Sequence, residues 1–551
     1  MELAENRWKT FGELIGSNVR EYPHRTFLKF MRQGQLATVT YARFGFQTLK
    51  LHEQLKSHGL ARGARIVFYL EDILPSTYLG LTCAQFGYVH VMAGSVLSIE
   101  TLKELMARCQ SEHVFTTQEH ARALVNAGIR PLVIYEDGDK PDGDTLPLRL
   151  AETEPDVDVL LAELERETAQ STEQTVVRLG LTSGSTGKPK IVSRSHKTAM
   201  GRNILRTFDL QRGAAPPDRV LLAAGITHGL GYSQILAAMY LAGELCITTK
   251  SQTASELAEI RVLDPTVIHV PPRYYKSWYE QQARLDGPDR SHRLFGPSLK
   301  IAGTGGAAPD YDMMKRIHAQ GVDIVESYGS NETDMIAIAK RGEYKFDGWI
   351  GRPPPDVMVK LAEDGELLIK SATLFPGYLD DEQSTQNAFT EDGWYRTGEF
   401  AALSEDGKVG IRGRKKDVFN TPDGSNIYPE RLERILEANE IVRQVILIGD
   451  QRPFIIGLFS MKQPASTGEG PYGVLARARA PQQYRDVEQL VDKLNETVET
   501  FERVRAIVLF AGPFPADIYK AANLGKTSRD RKKTVAMYGP LIEEIYRTET
   551  R

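Results

Sequence analysis

Cysteine is scarce in this chain of 551 residues, which contains only three. Cys83, Cys109 and Cys246 are single and widely spaced in the sequence. A disulfide framework or a zinc site needs paired or clustered cysteines, so this spacing matches neither. Unpaired thiols suit a reducing compartment, and we therefore expect the protein in the cytoplasm.

A basic surplus and a long apolar run are also missing. Lysine and arginine total 68 against 72 aspartate and glutamate, a net charge of -4, which disfavours a broad basic surface for nucleic acid. The apolar stretch from Ile235 to Gly243 ends at Glu244 and is too short to span a bilayer. The first ten residues do not place a basic segment before an apolar one, so no export signal is predicted. We expect neither a nucleic-acid partner nor a membrane span.

The length and the pattern of the chain predict more than one globular domain. With 41% apolar and 25% charged residues, the sequence is long enough to bury two or more cores. Strand-like runs that begin at Arg65, His113 and Val267 alternate with helical patterns. Such alternation is typical of parallel sheets covered by helices.

The pattern of apolar and polar residues changes after residue 355. The runs V-M-V-K-L and E-L-L-I-K, joined by A-E-D-G, predict a hairpin suited to a small antiparallel barrel. After Gly413 the chain restarts with a helix opened by Pro429, followed by two strands, a second helix and a third strand, V-R-A-I-V-L-F. This order predicts a separate small α+β domain. The apolar face predicted for its second helix comprises Val487, Leu490, Leu494, Val498 and Phe501.

The segment from Leu181 to Lys190, L-T-S-G-S-T-G-K-P-K, is suited to binding phosphate. Its glycines allow a tight turn, its hydroxyl groups are donors and its lysines add positive charge. We expect a polyphosphate to contact Thr182, Ser183, Gly184, Ser185, Thr186, Gly187, Lys188 and Lys190. A Gly/Ser/Thr-rich surface turn is the alternative interpretation of these residues alone.

Spacing excludes two other phosphate-binding loops. The loop of P-loop NTPases needs a glycine five residues before its Gly-Lys pair and a hydroxyl residue after the lysine. Here Thr182 stands five residues before Gly187, and Pro189 follows Lys188. The Rossmann fingerprint needs two glycines separated by one residue, whereas Gly184 and Gly187 lie three apart.

The loop resembles the signature [S/T]-S-G-[S/T]-T-G-x-P-K of the adenylate-forming enzymes, the superfamily of acyl-CoA synthetases, peptide-synthetase adenylation domains and beetle luciferases. Further motifs in family order extend the resemblance to Arg529. It implies an α/β fold whose large N-terminal domain, residues 1–413, contains two parallel-sheet α/β subdomains and a small β-barrel. A small mobile α+β domain, residues 414–551, would follow and carry the catalytic lysine.

A second motif, E-S-Y-G-S-N-E, extends from Glu326 to Glu332. An aromatic ring, a glycine and a carboxylate at the end of a strand suit a stacked base on Tyr328 and a metal ion on Glu332. The motif resembles the family's Y-G-x-T-E, which adds Gly329 to the expected ATP site. Asn331 replaces the usual threonine that touches the α-phosphate, and its amide retains a hydrogen-bond donor.

A glycine-rich segment, G-T-G-G-A-A-P, begins at Gly303. It resembles the turn that lines the adenine and acyl sites of the family. We therefore expect Gly303, Gly305 and Gly306 to line the acyl pocket and to leave room for a broad apolar acyl group.

The stretch G-I-T-H-G-L-G-Y-S, which begins at Gly225, indicates the class of carboxylic acid that the protein binds. It lacks the aspartate that holds an α-ammonium group in peptide-synthetase domains, so a free amino acid is not expected. It resembles the His-x-x-Gly of acyl and aryl activators, which places His228 and Gly231 at the acyl pocket. A buried core histidine is an equal alternative for His228.

Four residues of the last part of the chain complete the expected set. Glu399, in Y-R-T-G-E, resembles the acid that grips the ribose hydroxyls, and is one methylene longer than the usual aspartate. In G-R-K-K-D, Arg414 matches a nucleotide-binding arginine and Lys416 the hinge. Lys526, in G-K-x-x-R, matches the catalytic lysine, which together with Lys188 offsets the negative charge of the reacting phosphates. From the residues alone, the charged run G-R-K-K-D could be a solvated face of the protein. The Lys/Arg-rich segment that contains Lys526 could likewise be a basic tail.

The resemblance implies ATP-dependent activation of a carboxylic acid to an acyl-adenylate, with Mg²⁺ and release of pyrophosphate. Coenzyme A would commonly take the acyl group. Because F-N-T-P-D-G-S, with Pro422, departs from the usual Gly-rich hairpin, transfer to a carrier protein or a partner enzyme stays open. A degenerate protein that binds nucleotide or acyl ligand without turnover is the alternative of another class, which Asn331 and Glu399 would permit.

Overall fold

The computed structural model describes residues 7–95, 97–135, 145–147, 153–182, 190–200, 210–226, 229–249, 255–285, 294–422, 426–470, 472–520 and 528–549. The chain folds into two compact units. Unit 1 consists of residues 1–359, 369–395 and 405–409, and unit 2 of residues 360–368, 396–404 and 410–551. The predicted division after residue 413 stays a prediction, and the compact units group two short earlier segments with the C-terminal chain.

Helices and strands alternate along much of the chain. The helices are α1 (Phe11–Glu21), α2 (Tyr41–Ser57), α3 (Ile73–Phe86), α4 (Ile99–Arg108), α5 (Gln118–Asn126), α6 (Val157–Thr168), α7 (His196–Met200), α8 (Gly229–Leu241), α9 (Glu256–Leu263), α10 (Pro272–Leu285), α11 (Tyr311–His318), α12 (Glu382–Asn387), α13 (Pro429–Glu437), α14 (Pro481–Asn495) and α15 (Arg531–Glu549).

The strands are β1 (Thr26–Arg32), β2 (Gln35–Thr40), β3 (Arg65–Tyr69), β4 (Val89–Met92), β5 (His113–Thr117), β6 (Leu132–Tyr135), β7 (Thr145–Pro147), β8 (Val176–Thr182), β9 (Lys190–Ser195), β10 (Arg219–Leu222), β11 (Glu244–Ile247), β12 (Val267–Val270), β13 (Ile301–Gly305), β14 (Asp323–Ser330), β15 (Asp334–Ile338), β16 (Val357–Leu361), β17 (Glu366–Ser371), β18 (Tyr395–Leu403), β19 (Val409–Arg414), β20 (Phe419–Asn420), β21 (Asn426–Ile427), β22 (Val442–Ile448), β23 (Ile455–Met461), β24 (Val504–Phe510), β25 (Tyr519–Lys520) and β26 (Ser528–Arg529).

Two large sheets form the centre of unit 1. The first has eight strands in the order β15-β14-β13-β12-β10-β11-β1-β2, and the second has seven in the order β7-β6-β5-β3-β4-β8-β9. Their inner strands pair in parallel, whereas β2, β9 and β15 pair antiparallel at three of the sheet edges. The predicted strands at Arg65, His113 and Val267 are β3, β5 and β12, and the predicted α/β class is confirmed.

Helices cover these sheets on both faces, which explains the near-continuous apolar strands. One core packs α1, α2, α3, α6 and α8 against strands of both sheets through residues such as Phe27, Phe68 and Leu222. A second core packs α9, α10 and α11 against the eight-stranded sheet, and a third packs α4 and α5 against the seven-stranded sheet. In sheets of this kind, the loops that follow the carboxyl ends of the parallel strands commonly form the ligand-binding site.

The hairpin pattern after residue 355 gives four strands. They form one sheet in the order β16-β17-β18-β19, with β16 and β19 at its ends. The predicted turn A-E-D-G joins β16 to β17, and Gly365 there adopts a φ of 88° that favours glycine.

The C-terminal part of unit 2 contains the predicted small α+β arrangement. Strands β22 and β23 pair antiparallel, and β23 pairs with β24 in parallel. Helices α13 and α14 pack on one face of this sheet and α15 packs on the other. Neighbouring residues therefore serve opposite cores, as Leu447 and Ile448 do.

The second helix of this unit is shorter than predicted. It ends at Asn495, so Val498 and Phe501 lie outside it, and Phe501 is 39% exposed. The Asn495 side chain donates to the carbonyl of Val504 and accepts from the amide of Val504. This pair of hydrogen bonds ties the helix end to β24 and competes with continuation of the helix, which apolar periodicity does not reveal.

The three cysteines are free thiols inside unit 1. Each is fully buried, and burial raises the pKa of Cys109 to about 11 and that of Cys246 to about 12. Burial also raises the pKa of Cys83. Among the helices of the described ranges, none combines the length and apolar character needed to cross a membrane.

Candidate functional site

The predicted phosphate loop joins, in the sequence, two strands that pair at the edge of the seven-stranded sheet. Strands β8 and β9 pair antiparallel, and their register places Thr182 opposite Lys190. These two residues mark the ends of the loop. Ser183, Gly184, Ser185, Thr186, Gly187 and Lys188 lie outside the described residues.

Asn331 contacts the end of β8, the strand that leads into this loop. Its amide Nδ2 donates to the carbonyl oxygen of Leu181 over 3.1 Å. A Cβ added at Gly180 would be 3.6 Å from Nδ2, and one added at Gly229 would be 3.3 Å from Oδ1. Asn331 therefore sits beside the end of β8 and the beginning of α8, and its amide contacts the strand that leads into the phosphate loop.

A tight turn between β14 and β15 positions this part of the second motif. A Cβ at Gly329 would lie 1.9 Å from the carbonyl oxygen of Asp334, so only glycine fits there. The amide of Ser330 donates to the hydroxyl of Thr333 over 3.0 Å and fixes the turn. Tyr328 is half-buried on β14, one position before this glycine.

Glu332, Tyr378 and Lys190 meet at the same end of unit 1. The hydroxyl of Tyr378 donates to Oε1 of Glu332 over 3.3 Å, and the Lys190 ammonium lies 4.6 Å from the centroid of the Tyr378 ring. Burial, followed by the Glu332 carboxylate, raises the pKa of Tyr378, so its hydroxyl stays protonated and donates. The motifs of the sequence did not indicate Tyr378.

The carboxylate of Glu332 suits a hard cation. The Glu332 residue is 8% exposed, and Tyr378 occupies its Oε1. Magnesium is commonly held by one or two carboxylates together with substrate phosphates. The described ranges contain no cluster of three metal-ligating side chains, and the metal role of Glu332 stays a prediction.

The glycines assigned to the acyl pocket differ in their surroundings. A Cβ at Gly303 would lie 2.7 Å from the His269 ring, and one at Gly305 would lie 2.3 Å from the Ser327 hydroxyl. The small size of these two residues therefore admits His269 and Ser327, where we expected it to admit the acyl group. Gly306 adopts a φ of 80° with open space beside it.

Of the two other residues predicted for the acyl pocket, Gly231 lies at the start of α8. A Cβ at Gly231 would lie 1.8 Å from the carbonyl oxygen of Gly225, so the backbone approaches closely there. His228 lies outside the described residues. The requirement for glycine at position 231 is thus a packing requirement of this turn, and the pocket roles stay predictions.

In unit 2, the predicted ribose acid and nucleotide arginine lie next to each other. Glu399 is on β18 and Arg414 on β19, and Oε1 of Glu399 is 3.8 Å from Nε of Arg414. Both side chains are mostly buried. The predicted hinge residue, Lys416, is exposed in the turn after β19.

The predicted catalytic lysine, Lys526, lies outside the described residues. The chain on both sides of 521–527 forms a short hairpin, in which β25 and β26 pair antiparallel. Lys526 therefore belongs to the segment that connects two paired strands.

A buried ionic network holds the base of this hairpin. Arg529 contacts Glu433 at 3.2 Å and donates to Glu437 over 2.7 Å. Tyr519, on the opposite strand, donates to the same Glu437 over 2.9 Å. The Arg529 and Glu433 side chains are 3% and 0% exposed, and Arg529 also donates to the carbonyl of Val445. Both strands of the hairpin are thus attached to α13.

Two families match the chain over most of its length. Residues 16–379 match the family described as AMP-binding enzyme, and residues 416–550 match the AMP-binding enzyme C-terminal domain. A long-chain-fatty-acid–CoA ligase of Mycobacterium bovis is 26% identical over 596 aligned residues, which cover 97% of each chain. A 2-succinylbenzoate–CoA ligase of Listeria innocua is 26% identical over 272 residues, which cover 49% of this chain and 55% of that protein.

Solved structures share the fold. The anthranilate CoA ligase AuaEII in complex with anthranoyl-AMP superimposes with a TM-score of 0.75 at 18% identity, over 97% of this chain and 98% of that one. The A domain of a carboxylic acid reductase from Segniliparus rugosus gives a TM-score of 0.74 at 19% identity, over 98% and 94% of the two chains.

Proposed function

Because the chain belongs to the AMP-binding enzyme family, we propose that it activates a carboxylic acid with ATP and transfers the acyl group to coenzyme A. The contact of Asn331 with the strand that enters the phosphate loop, beside the Glu332, Tyr378 and Lys190 cluster, carries this proposal. It supports phosphate binding at the ends of β8 and β14. The acid is not a free amino acid, since the stretch from Gly225 provides no carboxylate for an α-ammonium group.

The residues of unit 1 would bind and orient the phosphates of ATP. Asn331 would donate its second amide hydrogen to the α-phosphate, since one already contacts Leu181. Lys190 would offset phosphate charge, and Glu332 would hold Mg²⁺, which when bound neutralises charge on the phosphate oxygens. Tyr378 would fix the orientation of the Glu332 carboxylate.

The chemistry consists of two substitutions. A carboxylate oxygen of the acid attacks the α-phosphorus, a new P–O bond forms, and the bond to pyrophosphate breaks. Lys526 would offset the charge that concentrates on the α-phosphate in this step. The thiolate of coenzyme A then attacks the acyl carbon, and AMP leaves with the pair of electrons of the C–O bond.

The loop after Arg414 supports the second step. Despite Pro422, β20 and β21 pair antiparallel, with Asn420 opposite Asn426, so a hairpin is retained where the sequence departs from the usual Gly-rich form. Similarity to several CoA ligases also favours coenzyme A over a carrier protein as the acceptor.

The proposal is tested by ATP–pyrophosphate exchange over a panel of carboxylic acids, with hydroxylamine to trap adenylates, and then by adding coenzyme A. We expect exchange with some acids and a thioester on addition of coenzyme A. Exchange without a thioester would direct the acyl group to a carrier protein. The absence of exchange with every acid would favour a non-catalytic binding protein.

Replacing Glu332 by Gln is expected to raise the Mg²⁺ concentration that gives half-maximal exchange by about tenfold or more, because the amide keeps the shape but removes the anionic oxygen. Titration of Mg²⁺ at saturating ATP measures this shift. Tyr378→Phe is the matched control, since it removes one hydrogen bond and leaves the carboxylate. An unchanged Mg²⁺ dependence in Glu332→Gln would remove Glu332 from the metal site.

A further inference from the structure

A buried polar cluster lies in unit 1 near Asn331. It consists of Arg178 on β8, His90 on β4 and Tyr232 on α8. His90 and Arg178 are register partners on adjacent parallel strands, so their side chains emerge on the same face about 4.8 Å apart at the backbone. All three residues are buried among apolar side chains, including Phe68, whose ring centroid lies 3.9 Å from that of His90.

The Arg178 guanidinium is buried, and no carboxylate of the described residues pairs with it. It lies 4.6 Å from the centroid of the Tyr232 ring, and its Nη1 makes no hydrogen bond. Asp334 acts on Arg178 only at longer range, with neither a hydrogen bond nor an ion pair between them in the described ranges. Because a buried unpaired cation is costly, a position like this points to a missing anion.

A neighbouring buried arginine, Arg194, has backbone partners. It is the register partner of Arg178 on β9. Its Nη1 donates to the backbone carbonyls of Thr198 and Thr373. Within the described ranges, Nη1 of Arg178 donates to no carbonyl.

The His90 ring contributes a second buried polar atom. Its Nδ1 lies 3.4 Å from the Tyr232 hydroxyl, and its Nε2 has no hydrogen-bond partner among the described residues. If Nδ1 accepts from the hydroxyl, Nε2 carries the hydrogen and is a donor. Burial, followed by the charge of Arg178, lowers the pKa of His90 to about 3, so the imidazole is neutral at physiological pH.

The cluster is close to the place where the acid should react. Gly180 borders Asn331, and Arg178 stands two residues earlier on the same face of β8. Gly229 also borders Asn331, and Tyr232 follows it by three residues on α8. Two residues of a strand span about 7 Å. Because Asn331 contacts β8 at Gly180, Arg178 lies about 7 Å farther along β8 than the position of Asn331.

We propose that Arg178, with His90 and Tyr232, binds a second carboxylate of the acid, so that the substrate is a dicarboxylic acid. This inference rests on the proposed acid activation. One carboxylate would react near Asn331, and the other would accept hydrogen bonds from Arg178 and His90 about 7 Å away. One arginine beside a neutral histidine provides a single positive charge, which matches a carboxylate better than a phosphate dianion.

The test compares matched acids in pyrophosphate exchange. Succinic, glutaric, adipic and pimelic acids are each paired with the straight-chain monocarboxylic acid of the same carbon number. The enzymes are the wild type, Arg178→Met, Arg178→Lys and the control Arg65→Met. Arg65 is on β3 of the same sheet and donates to the carbonyl of Cys109, away from the cluster.

For wild type and Arg65→Met, we expect kcat/KM for the best dicarboxylic acid to exceed that of its monocarboxylic partner by about 100-fold or more. Arg178→Met should lose this preference and retain exchange with the monocarboxylic acid. Its melting temperature should equal or exceed that of the wild type, because the unpaired cation is gone. Arg178→Lys should retain part of the preference.

Three results would overturn the inference. The first is equal or better use of monocarboxylic acids by the wild type, which leaves the proposed function intact. The second is an Arg178→Met variant that unfolds or melts lower with its preference unchanged, since that is the behaviour of a structural core residue. The third is exchange with no acid of either set by a wild type that exchanges with other acids of the panel, which overturns the inference and leaves the proposed function intact.

Discussion

Replacing Lys526 by Ala should lower the rate of adenylate formation by about 100-fold to 1000-fold while ATP binding stays nearly unchanged. Removing one preorganised group that offsets developing charge has effects of this size. The proposed role of Lys526 is confined to the step in which negative charge concentrates on the α-phosphate. The ATP contacts proposed for unit 1 involve other residues, so the dissociation constant for ATP should change little.

Lys532 offers a matched control for this variant. It lies six residues later, near the start of α15, and is exposed. Lys532→Ala should retain exchange within about twofold of the wild type, because an exposed charge contributes little. Single-turnover formation of adenylate and equilibrium binding of ATP separate the two effects. A Lys526→Ala variant with normal exchange would contradict the assignment of the catalytic lysine.

Replacing Arg529 by Met should destabilise unit 2 by about 3–5 kcal/mol, the cost of breaking a buried ion pair from one side. The change leaves Glu433, which is 0% exposed, with Arg531 as its remaining cationic partner. It also removes the bond from Arg529 to Glu437 and the bond to the carbonyl of Val445. The base of the hairpin before and after residues 521–527 would lose its attachment to α13.

The matched control is Arg479→Met. Arg479 pairs with Glu469 at 2.7 Å in the same unit, but these side chains are 63% and 43% exposed, so a loss below about 1 kcal/mol is expected. Urea denaturation followed by hydrogen exchange of peptides from β22 and β24 measures both variants.

Tryptophan fluorescence provides an internal reference for this experiment. All four tryptophans, Trp8, Trp278, Trp349 and Trp394, lie in unit 1. Arg529→Met should therefore leave the urea midpoint of the fluorescence transition unchanged. Equal hydrogen-exchange protection in Arg529→Met and Arg479→Met would show that the buried pair contributes no more than an exposed one.

The sequence predicted the α/β class and the positions of most strands because these depend on local patterns. Alternating apolar runs located β3, β5 and β12, and Pro429 marked the first residue of α13. The predicted extension of α14 to Phe501 was wrong, since its end depends on hydrogen bonds between Asn495 and Val504. Apolar periodicity carries no information about such a contact.

A contiguous motif located two of the candidate site residues, and their roles stay predictions. Asn331 donates to Leu181 on β8, and Glu332 accepts from Tyr378, whose ring lies beside Lys190 on β9. Tyr378 was missed because its contact with Glu332 joins residues 46 apart, which no local spacing reveals. The lack of an anionic partner for Arg178 among the described residues likewise depends on which side chains surround it in three dimensions.

The burial of all three cysteines makes this enzyme suitable for distance measurements by site-directed labelling. With thiols that are fully covered and pKa values raised to about 11 for Cys109 and about 12 for Cys246, the native fold should react slowly with maleimides at neutral pH. One cysteine introduced on the exposed surface of each unit would then accept a fluorophore without replacing the native residues. Energy transfer between the two dyes could follow the units through both half-reactions in the otherwise natural sequence.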